Sequence, residues 1–248
     1  MRPKKRWGQH FLRNPGAVER IVSAIEPRPG EVIVEIGPGE GVLTEKLVAL
    51  GNELQAIEID PELSRSLRQR FGNIIINDDA LTAPLPARPF RAVGNLPYNA
   101  GTPILRRVIA DPHMRRAVFM LQKEVADRLL ACPRDETYGF LTLYTQLFAR
   151  PRMLMTLEPG SFHPRPKVRS AVVVLDPERK PFATESVIDL IGTAFRMRRK
   201  KLVNNLTSWH GRSRADVIAA MERAGIDPDV RAEELALDDF ARLARAIS

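Results

Sequence analysis

The fold of this 248-residue chain is decided by one stretch, Val32-Ile-Val-Glu-Ile36 followed at once by Gly37-Pro-Gly39-Glu-Gly41. A short apolar run that ends in glycine is typical of a buried parallel strand. Helical periodicity follows over Val42–Leu50, and a second apolar run begins at Leu54 and ends at Ile59. The stretch therefore predicts a strand, a helix and a second strand, with a glycine loop where the first strand meets the helix.

The same alternation continues as far as Asp176. Strands that alternate with helices predict a parallel sheet with helices on both faces. Beyond Pro177 only helical periodicity is found, so we expect two domains, an α/β domain at 1–179 and a small helical domain at 180–248. Further strands are predicted at Ile74–Ile76, Ala92–Gly94, Ala117–Leu121, Met153–Leu157 and Ser170–Leu175. Further helices are predicted at Thr102–Ala110, Glu124–Ala131, Tyr138–Ala149, Val187–Phe195, Lys200–Ser208, Ala215–Ala224, Ala232–Leu235 and Asp238–Ile247.

The chain is basic, with 38 lysines and arginines against 30 aspartates and glutamates and a net charge of +8. Such a charge suits a polyanionic partner, most often nucleic acid. The alternative is a solvated basic surface. Many of the cations fall in acid-free blocks at 2–13, 165–169 and 196–201. This clustering favours nucleic acid.

Composition excludes several classes of protein. No apolar run approaches the ~20 residues that a membrane-spanning helix needs, and no apolar stretch follows the basic N-terminus as in a secretory signal. Cys132 is the single cysteine, so we expect no internal disulfide and a cytoplasmic location. The histidines are scattered without metal-ligand spacing, so no metal site is expected.

The glycine loop suits a ligand that carries no phosphate. Its Gly-x-Gly-x-Gly spacing differs from the Gly-x-Gly-x-x-Gly of dinucleotide binders. Glu35 stands just before the loop, where it would repel a pyrophosphate and suit a cation. The alternative is a loop that merely joins a strand to a helix.

Acidic residues follow the next two strands. Glu58 comes about 20 residues after Gly37, the spacing at which an acid meets ribose hydroxyls. Asp60 is better placed to cap a helix that starts at Pro61. Asp79 follows the third strand and can accept a hydrogen bond from the amine of adenine, although it could equally be a turn residue.

The segment Asn95-Leu-Pro-Tyr98 is the most specific feature of the sequence. It suits methylation of an exocyclic amine on a planar base, because the Asn95 side-chain oxygen and the Leu96 carbonyl can accept both N–H bonds and direct the lone pair toward a methyl donor. Pro97 stiffens the loop, and Tyr98 offers an aromatic face to the base. Alone, such a segment is more often a turn with a buried tyrosine. The acids on the preceding strands favour the catalytic interpretation.

Together these motifs resemble the ribosomal RNA adenine N6,N6-dimethyltransferases of the KsgA type. The resemblance covers nearly the whole chain and also includes Gly8–Leu12, Leu121–Val125, Phe162–Val173 and Phe195–Leu206. It implies a Rossmann-like class I methyltransferase sheet of seven strands, the last antiparallel, with a small all-α C-terminal domain. The implied methyl donor is S-adenosylmethionine. The implied substrate is a pair of adjacent adenines in a hairpin loop near the 3′ end of small-subunit (16S) rRNA, modified during ribosome maturation.

The resemblance also implies roles for individual residues. Tyr98 and Phe162 would sandwich the target adenine. The family's usual Gln-Asn-Phe-Leu is Gln-His-Phe-Leu here, and His10 could still donate a hydrogen bond to the donor's carboxylate. The implied donor-pocket residues are His10, Leu12, Gly37, Gly39, Glu58, Ile59, Asp79, Ala80 and Asn95. The implied catalytic residues are Asn95, Leu96, Pro97, Tyr98 and Phe162.

RNA contacts are predicted for the last two basic blocks. On one helix the cations at 196, 199 and 200 of the last block would share a face, with 198 and 201 on another side. The lack of nearby acids in the sequence favours phosphate contact over an ordinary solvated helix face. The expected partner is the small ribosomal subunit, bound by a monomer. The predicted RNA-binding residues are Arg165, Lys167, Arg196, Arg198, Arg199, Lys200 and Lys201.

Alternative functions remain open at this point. One is a related methyltransferase that acts on 23S-type rRNA and confers macrolide resistance, or on DNA adenine; the block at 196–201 and the segment at 162–173 favour the small-subunit enzyme. The other is a non-catalytic ribosome assembly factor. The intact glycine loop and Asn95–Tyr98 segment argue against it.

Overall fold

The computed structural model describes residues 10–247, so the basic stretch at 1–9 lies outside the described residues. The described chain divides into two compact units. The first contains residues 10–126 and Pro151–Pro177, and the second contains Asp127–Arg150 and 178–247. The chain passes from the first unit to the second for the last time after Pro177, close to the predicted domain boundary at 179. Residues 127–150, which the sequence assigns to the α/β domain, cluster instead with the C-terminal helices.

One mixed sheet of seven strands organises the first unit. The nine strands of the described chain are β1 (Phe11–Leu12), β2 (Val32–Ile36), β3 (Leu54–Glu58), β4 (Ile75–Asn77), β5 (Phe90–Asn95), β6 (Met114–Gln122), β7 (Ala149–Leu157), β8 (Phe162–His163) and β9 (Ser170–Pro177). Strands β1 and β8 form a separate antiparallel pair, and the other seven form the sheet. The sheet has the order β4-β3-β2-β5-β6-β9-β7, parallel from β4 to β6 and antiparallel between β6 and β9. The predicted seven-stranded sheet with an antiparallel last strand is confirmed.

The register brings the carboxyl ends of the central strands to one edge. Ile36 of β2 pairs with Ile57 of β3 and Gly94 of β5, and Glu58 pairs with Asn77. The loops that follow parallel strands meet at this edge, where open α/β sheets bind their ligands. All of β2 is buried, as expected for a strand covered on both faces.

Side chains cap the first and the third of the helices that begin in the first unit. These helices are α1 (Pro15–Ile25), α2 (Val42–Val48), α3 (Pro61–Phe71), α4 (Gly101–Ala110) and α5 (Lys123–Leu130). Helix α5 begins in the first unit and ends in the second. The Asp60 carboxylate accepts from Glu62 N–H at 3.0 Å, which confirms the predicted cap of α3. Asn14 caps α1 in the same way, through Ala17 N–H at 3.1 Å. Helix α1 was not predicted, although Asn14-Pro15 is a cap and first-turn pair like Asp60-Pro61.

The second unit is built from helices. They are α6 (Phe140–Phe148), α7 (Glu185–Ala194), α8 (Leu202–Leu206), α9 (Arg214–Arg223) and α10 (Leu237–Ile247). Helix α7 packs against α6, α8 and α10, and α9 packs against α8 and α10. The buried Tyr138 hydroxyl donates to Leu235 O at 2.7 Å and joins the segment at 127–150 to the C-terminal part. The helix predicted at Ala232–Leu235 is a short 3-10 turn at Ala232–Glu234.

Membrane spans and metal clusters are both absent from the described chain. Between residues 10 and 247 no helix has the length and apolar character to cross a membrane. Over the same range, His, Cys, Asp and Glu side chains form no group of three or more that could hold a metal ion.

Candidate active site

The loop after β2 keeps its shape through glycine. Gly39 and Gly41 have φ values of 61° and 84°, in the left-handed region that favours glycine. A Cβ on Gly39 would lie 2.9 Å from the ring of Phe11, and one on Gly41 would lie 2.8 Å from Leu67. A side chain at either position would therefore displace its neighbours. The loop backbone stays close to the carboxyl edge of the sheet.

Glu58, at the end of β3, holds this loop from the neighbouring strand. Its side chain is buried, and its carboxylate accepts hydrogen bonds from Gly39 N–H at 3.1 Å and Asp60 N–H at 2.9 Å. Burial raises the pKa of Glu58 above its ordinary value, while these two bonds oppose the rise. Each carboxylate oxygen has a second lone pair. Glu58 can therefore accept further hydrogen bonds from a ligand with hydroxyl groups.

Two adjoining cavities open at this edge and share the wall formed by Gly37, Glu58, Ile59 and Pro97. Because the wall is shared, one elongated ligand can occupy both cavities with Glu58 near its middle. The first cavity is completed by His10, Phe11, Gly39, Asn95, Leu96 and Tyr98. The second is completed by Ile36, Ile57, Asp78, Asp79, Ala80, Leu81, Asn99, Ala100 and Ile104.

The second cavity is an apolar slot with acids at its rim. Asp79 Oδ1 accepts from Leu81 N–H at 2.9 Å, which fixes the loop after β4. No donor within residues 10–247 reaches the other oxygen of Asp79. A planar apolar ring with an exocyclic amine fits such a slot, because the ring lies among aliphatic side chains and the amine meets an acceptor.

Asn95 stands at the end of β5 with its amide already oriented. Its Nδ2 donates to His10 O at 2.6 Å. Among the described residues none donates to Asn95 Oδ1, so this oxygen is available as an acceptor in the first cavity. The following loop is fixed from both sides, because Leu96 N–H donates to Met120 O at 3.0 Å and Pro97 O accepts from Gly101 N–H at 2.7 Å.

Tyr98 presents a held aromatic ring to the same cavity. Its hydroxyl lies 3.1 Å from Ser170 Oγ, and its ring centre lies 5.2 Å from that of His10. Burial raises the pKa of Tyr98, so the hydroxyl stays neutral at physiological pH. His10 Nδ1 lies 2.7 Å from Pro164 O. Because a carbonyl oxygen only accepts, Nδ1 carries the proton in this contact.

Two of the predicted site residues lie outside the cavity walls. Leu12 and Phe162 face each other across the β1–β8 pair and are buried in an apolar cluster. The structure therefore does not bring Phe162 to the cavity that Tyr98 lines, and the site roles of Leu12 and Phe162 stay predictions. Phe11, which was not among the predicted site residues, lines the cavity instead. Its position between His10 and Leu12 was the available signal.

Comparison with known proteins now identifies the family. The family model described as ribosomal RNA adenine dimethylase matches residues 1–248. The chain belongs to this family. Two relatives named ribosomal RNA small subunit methyltransferase A are close in length to this dimethylase. The one from Methylococcus capsulatus is 43% identical over 99% of this chain and 98% of its own, and the one from Rubrobacter xylanophilus is 40% identical over 100% and 96%.

Solved structures share the fold of this dimethylase. A dimethyladenosine transferase from Plasmodium falciparum superimposes with a TM-score of 0.82 at 26% identity, covering 94% of this chain and 96% of that one. The 23S rRNA methyltransferase ErmE gives a TM-score of 0.70 at 28% identity, covering 96% and 99%. The resemblance inferred from the motifs and the class I methyltransferase fold are both confirmed. The chain is an rRNA adenine dimethyltransferase, an enzyme class that requires a methyl donor.

The basic block at 196–201 of this dimethylase is not the predicted helix face. Helix α7 ends at Ala194, helix α8 begins at Leu202, and a turn joins them. The predicted helix at Lys200–Ser208 therefore starts later and is shorter. The expectation that 196, 199 and 200 share a helix face was wrong, because hydrogen bonds from other parts of the chain fold the block into a turn.

The expectation that no acids compensate the block was also wrong. Arg198 donates to Glu136 O and pairs with Glu233 at 3.4 Å, and Lys201 pairs with Asp229 at 2.7 Å. These partners lie far along the sequence from the block. Local composition could not reveal them, because only the folded second unit brings them together.

Proposed function

We propose that this dimethylase transfers methyl groups from S-adenosylmethionine to N6 of two adjacent adenines in a hairpin loop near the 3′ end of 16S rRNA, during small-subunit maturation. The observation that carries the proposal is the placement of Asn95–Tyr98 beside the wall that holds Glu58. Relatives at 40 to 43% identity are named for the small subunit, whereas the 23S enzyme ErmE is 28% identical. These identities favour the small-subunit substrate.

The elongated cavity fits this donor at three points. The free lone pairs of Glu58 suit the ribose hydroxyls, and the slot beside Asp79 and Ala80 suits the adenine ring. Gly37, Gly39 and Ile59 would line the middle of the donor. His10 and Asn95 would line the end that lies near the substrate. When bound, the donor supplies a methyl group on a cationic sulfonium, which leaves as a neutral thioether.

The residues of the first cavity would activate the target amine. N6 of adenine is a poor nucleophile because its lone pair is delocalised into the ring. In the first transfer Asn95 Oδ1 and the Leu96 carbonyl would accept the two N–H bonds and localise the lone pair toward the methyl group. After each transfer N6 would lose one proton to solvent. Pro97 holds these acceptors in place, and Tyr98 stacks on the base.

RNA would be held by exposed cations of both basic blocks. Arg165 and Lys167 are exposed in the segment between β8 and β9, and Arg196, Arg199 and Lys200 are exposed in the α7–α8 turn. We propose donor binding and catalysis for the first unit and RNA binding for the second, with Arg165 and Lys167 adding RNA contacts from the first unit. We also propose that the enzyme is cytoplasmic and monomeric. Light scattering after size exclusion would test the monomeric state.

The proposed function is tested by methyl transfer to purified ribosomal subunits. Small subunits from a strain that lacks the modification are incubated with the protein and radiolabelled S-adenosylmethionine. We expect label in the small subunit and a primer-extension stop at two adjacent adenines near the 3′ end of its rRNA. Label in the large subunit alone, or none in either subunit, would contradict the proposal.

Replacement of Glu58 by alanine is expected to weaken donor binding by roughly 1.5–3 kcal/mol, because the ribose hydroxyls lose a charged acceptor. Calorimetric titration with S-adenosylmethionine measures this, with thermal unfolding as a check on folding. Glu53→Ala is the matched control, because Glu53 is exposed just before the opposite end of the same strand. An unchanged dissociation constant for the Glu58 variant would disprove the ribose assignment.

Replacement of Arg199 and Lys200 by glutamine is expected to flatten the salt dependence of small-subunit binding. Each phosphate that the protein no longer neutralises reduces the steepness of the slope of log K against log salt by ~0.7–0.9. Filter binding at several salt concentrations provides the slope. The variant Arg223→Gln/Arg245→Gln removes the same charge from exposed helix positions of the second unit and should keep the slope. Equal slopes for the two variants would mean that the turn is an ordinary solvated surface.

A further inference from the structure

The turn between α7 and α8 is fastened by a buried amide. Asn205 of α8 is buried, and its Nδ2 donates to Ala194 O at 2.6 Å and to Met197 O at 3.2 Å. Ala194 is the last residue of α7, whose final carbonyls have no partner within the helix. One side chain therefore holds both the end of α7 and the middle of the turn.

An amide is not the side chain that packing alone would select at this position. Helix α8 also buries Leu202, Val203 and Leu206, each fully. A polar group buried among apolar side chains is unfavourable unless it is hydrogen-bonded. Asn205 Oδ1 has no hydrogen-bond partner within residues 10–247, so the described role of the amide consists of the two bonds that its nitrogen donates.

The four cations at 198–201 fall into two groups. Arg198 and Lys201 are engaged with carbonyl and acidic groups of the second unit. Arg199 and Lys200 are exposed, and neither side chain forms an ion pair or a hydrogen bond with any part of the described chain. The second pair is thus carried on a turn whose backbone is fixed while its charged groups are left for a partner.

We propose that Asn205 is a positioning residue for RNA, which holds the turn so that Arg199 and Lys200 meet phosphate groups. This inference rests on the proposed function. Asn205 itself touches no RNA. A turn that is already ordered loses less conformational entropy when it binds, and it presents both cations at a fixed spacing. Without the two hydrogen bonds the turn would keep both charges, but the spacing of Arg199 and Lys200 would no longer be fixed.

A double-mutant cycle separates positioning from general stability. Asn205→Ala is compared with the unvaried protein, and Arg199→Gln/Lys200→Gln is compared with the same variant carrying Asn205→Ala as well. We expect Asn205→Ala alone to reduce the steepness of the slope of log K against log salt by the equivalent of at least one phosphate, ~0.7. In the glutamine background it should reduce the steepness no further. Equal reductions in both backgrounds, or none in either, would overturn the proposal.

Two further variants keep the test decisive. Asn204→Ala is the control, because Asn204 is the neighbouring asparagine on α8 and is exposed. Asn205→Ser replaces the amide donor by a smaller hydroxyl donor. We expect this variant to have a slope between those of Asn205→Ala and the unvaried protein. If circular dichroism shows that Asn205→Ala does not fold, the same cycle is run with Asn205→Ser and judged by the same outcomes.

The probes distinguish failure of this inference from failure of the proposed function. Binding is measured with small ribosomal subunits and with a mixed-sequence single-stranded RNA, because phosphate contacts do not depend on the identity of the methylated base. Coupling on both probes without methylation of small subunits would support Asn205 and contradict the proposed substrate. Methylation of small subunits without coupling on either probe would do the reverse.

Discussion

Replacement of Asn95 by alanine is expected to lower the rate of methyl transfer in a single turnover by ~10²–10³. The Asn95 amide is oriented before substrate arrives, because its Nδ2 donates to His10 O at 2.6 Å. Its oxygen would accept a hydrogen bond that strengthens as positive charge develops on N6. Alanine keeps the backbone of β5 but removes this acceptor, so the effect should fall on the chemical step.

Single-turnover methylation with excess enzyme measures that step apart from product release. Calorimetry with S-adenosylmethionine should show a smaller effect on donor affinity than on rate. Asn73→Ala is the control, because Asn73 is an exposed asparagine of the same unit outside both cavities. A reduction of less than about tenfold would refute the catalytic role of Asn95, since one preorganised group contributes more than that in related chemistry.

The second large effect concerns Glu35 and the dependence of stability on pH. Glu35 is buried within β2, and both carboxylate oxygens lack a hydrogen-bond partner within residues 10–247. Burial raises the pKa of Glu35 to about 8, and the charge of the nearby Glu58 adds to the rise. The folded enzyme therefore holds this acid in its neutral form at pH 7.

The sign of the pH effect follows from the two pKa values. In the unfolded chain Glu35 titrates near its ordinary value of 4.5. Between that value and about 8 the folded state binds one more proton than the unfolded state. The free energy of unfolding should therefore fall as pH rises through this window, by up to about 1.4 kcal/mol per pH unit, and level off above it.

Urea unfolding at several pH values, with the Glu35→Gln variant alongside, isolates this contribution. Glutamine does not titrate, so the stability of the unvaried protein relative to the variant should decline as pH rises from 5 to 8. Glu45→Gln, at an exposed position of α2, should leave the pH dependence unchanged. Parallel curves for the unvaried protein and Glu35→Gln would show that Glu35 is ionised in the folded state.

Local signals accounted for the parts of the fold that depend on neighbouring residues. The apolar run at 32–36, its glycine loop and the cap at Asp60 are each specified within a few positions, and each was predicted. The site at the carboxyl edge was predictable because parallel strands bring their following loops together. Glu58 and Asn95 therefore needed only the strand order to be placed in one cavity.

Features that depend on distant parts of the chain were not predictable in this way. The turn at 195–201 is shaped by Asn205 and by partners from other elements, and residues around it keep a helical periodicity that suggested otherwise. Phe162 is a large apolar residue on a short strand, and burial against Leu12 satisfies it fully. Membership of 127–150 in the second unit rests on long-range packing that leaves no local mark.

That membership has a consequence for how parts of such enzymes can be exchanged. A chain ended after Pro177 would retain α6 but lose α7 and α10, against which α6 packs, and the Leu235 carbonyl that receives the Tyr138 hydroxyl. Its apolar face would then meet water and favour aggregation. A graft that swaps RNA-binding parts between two dimethylases must therefore carry two separate segments. Substitutions in one segment are expected to be inherited together with compensating ones in the other.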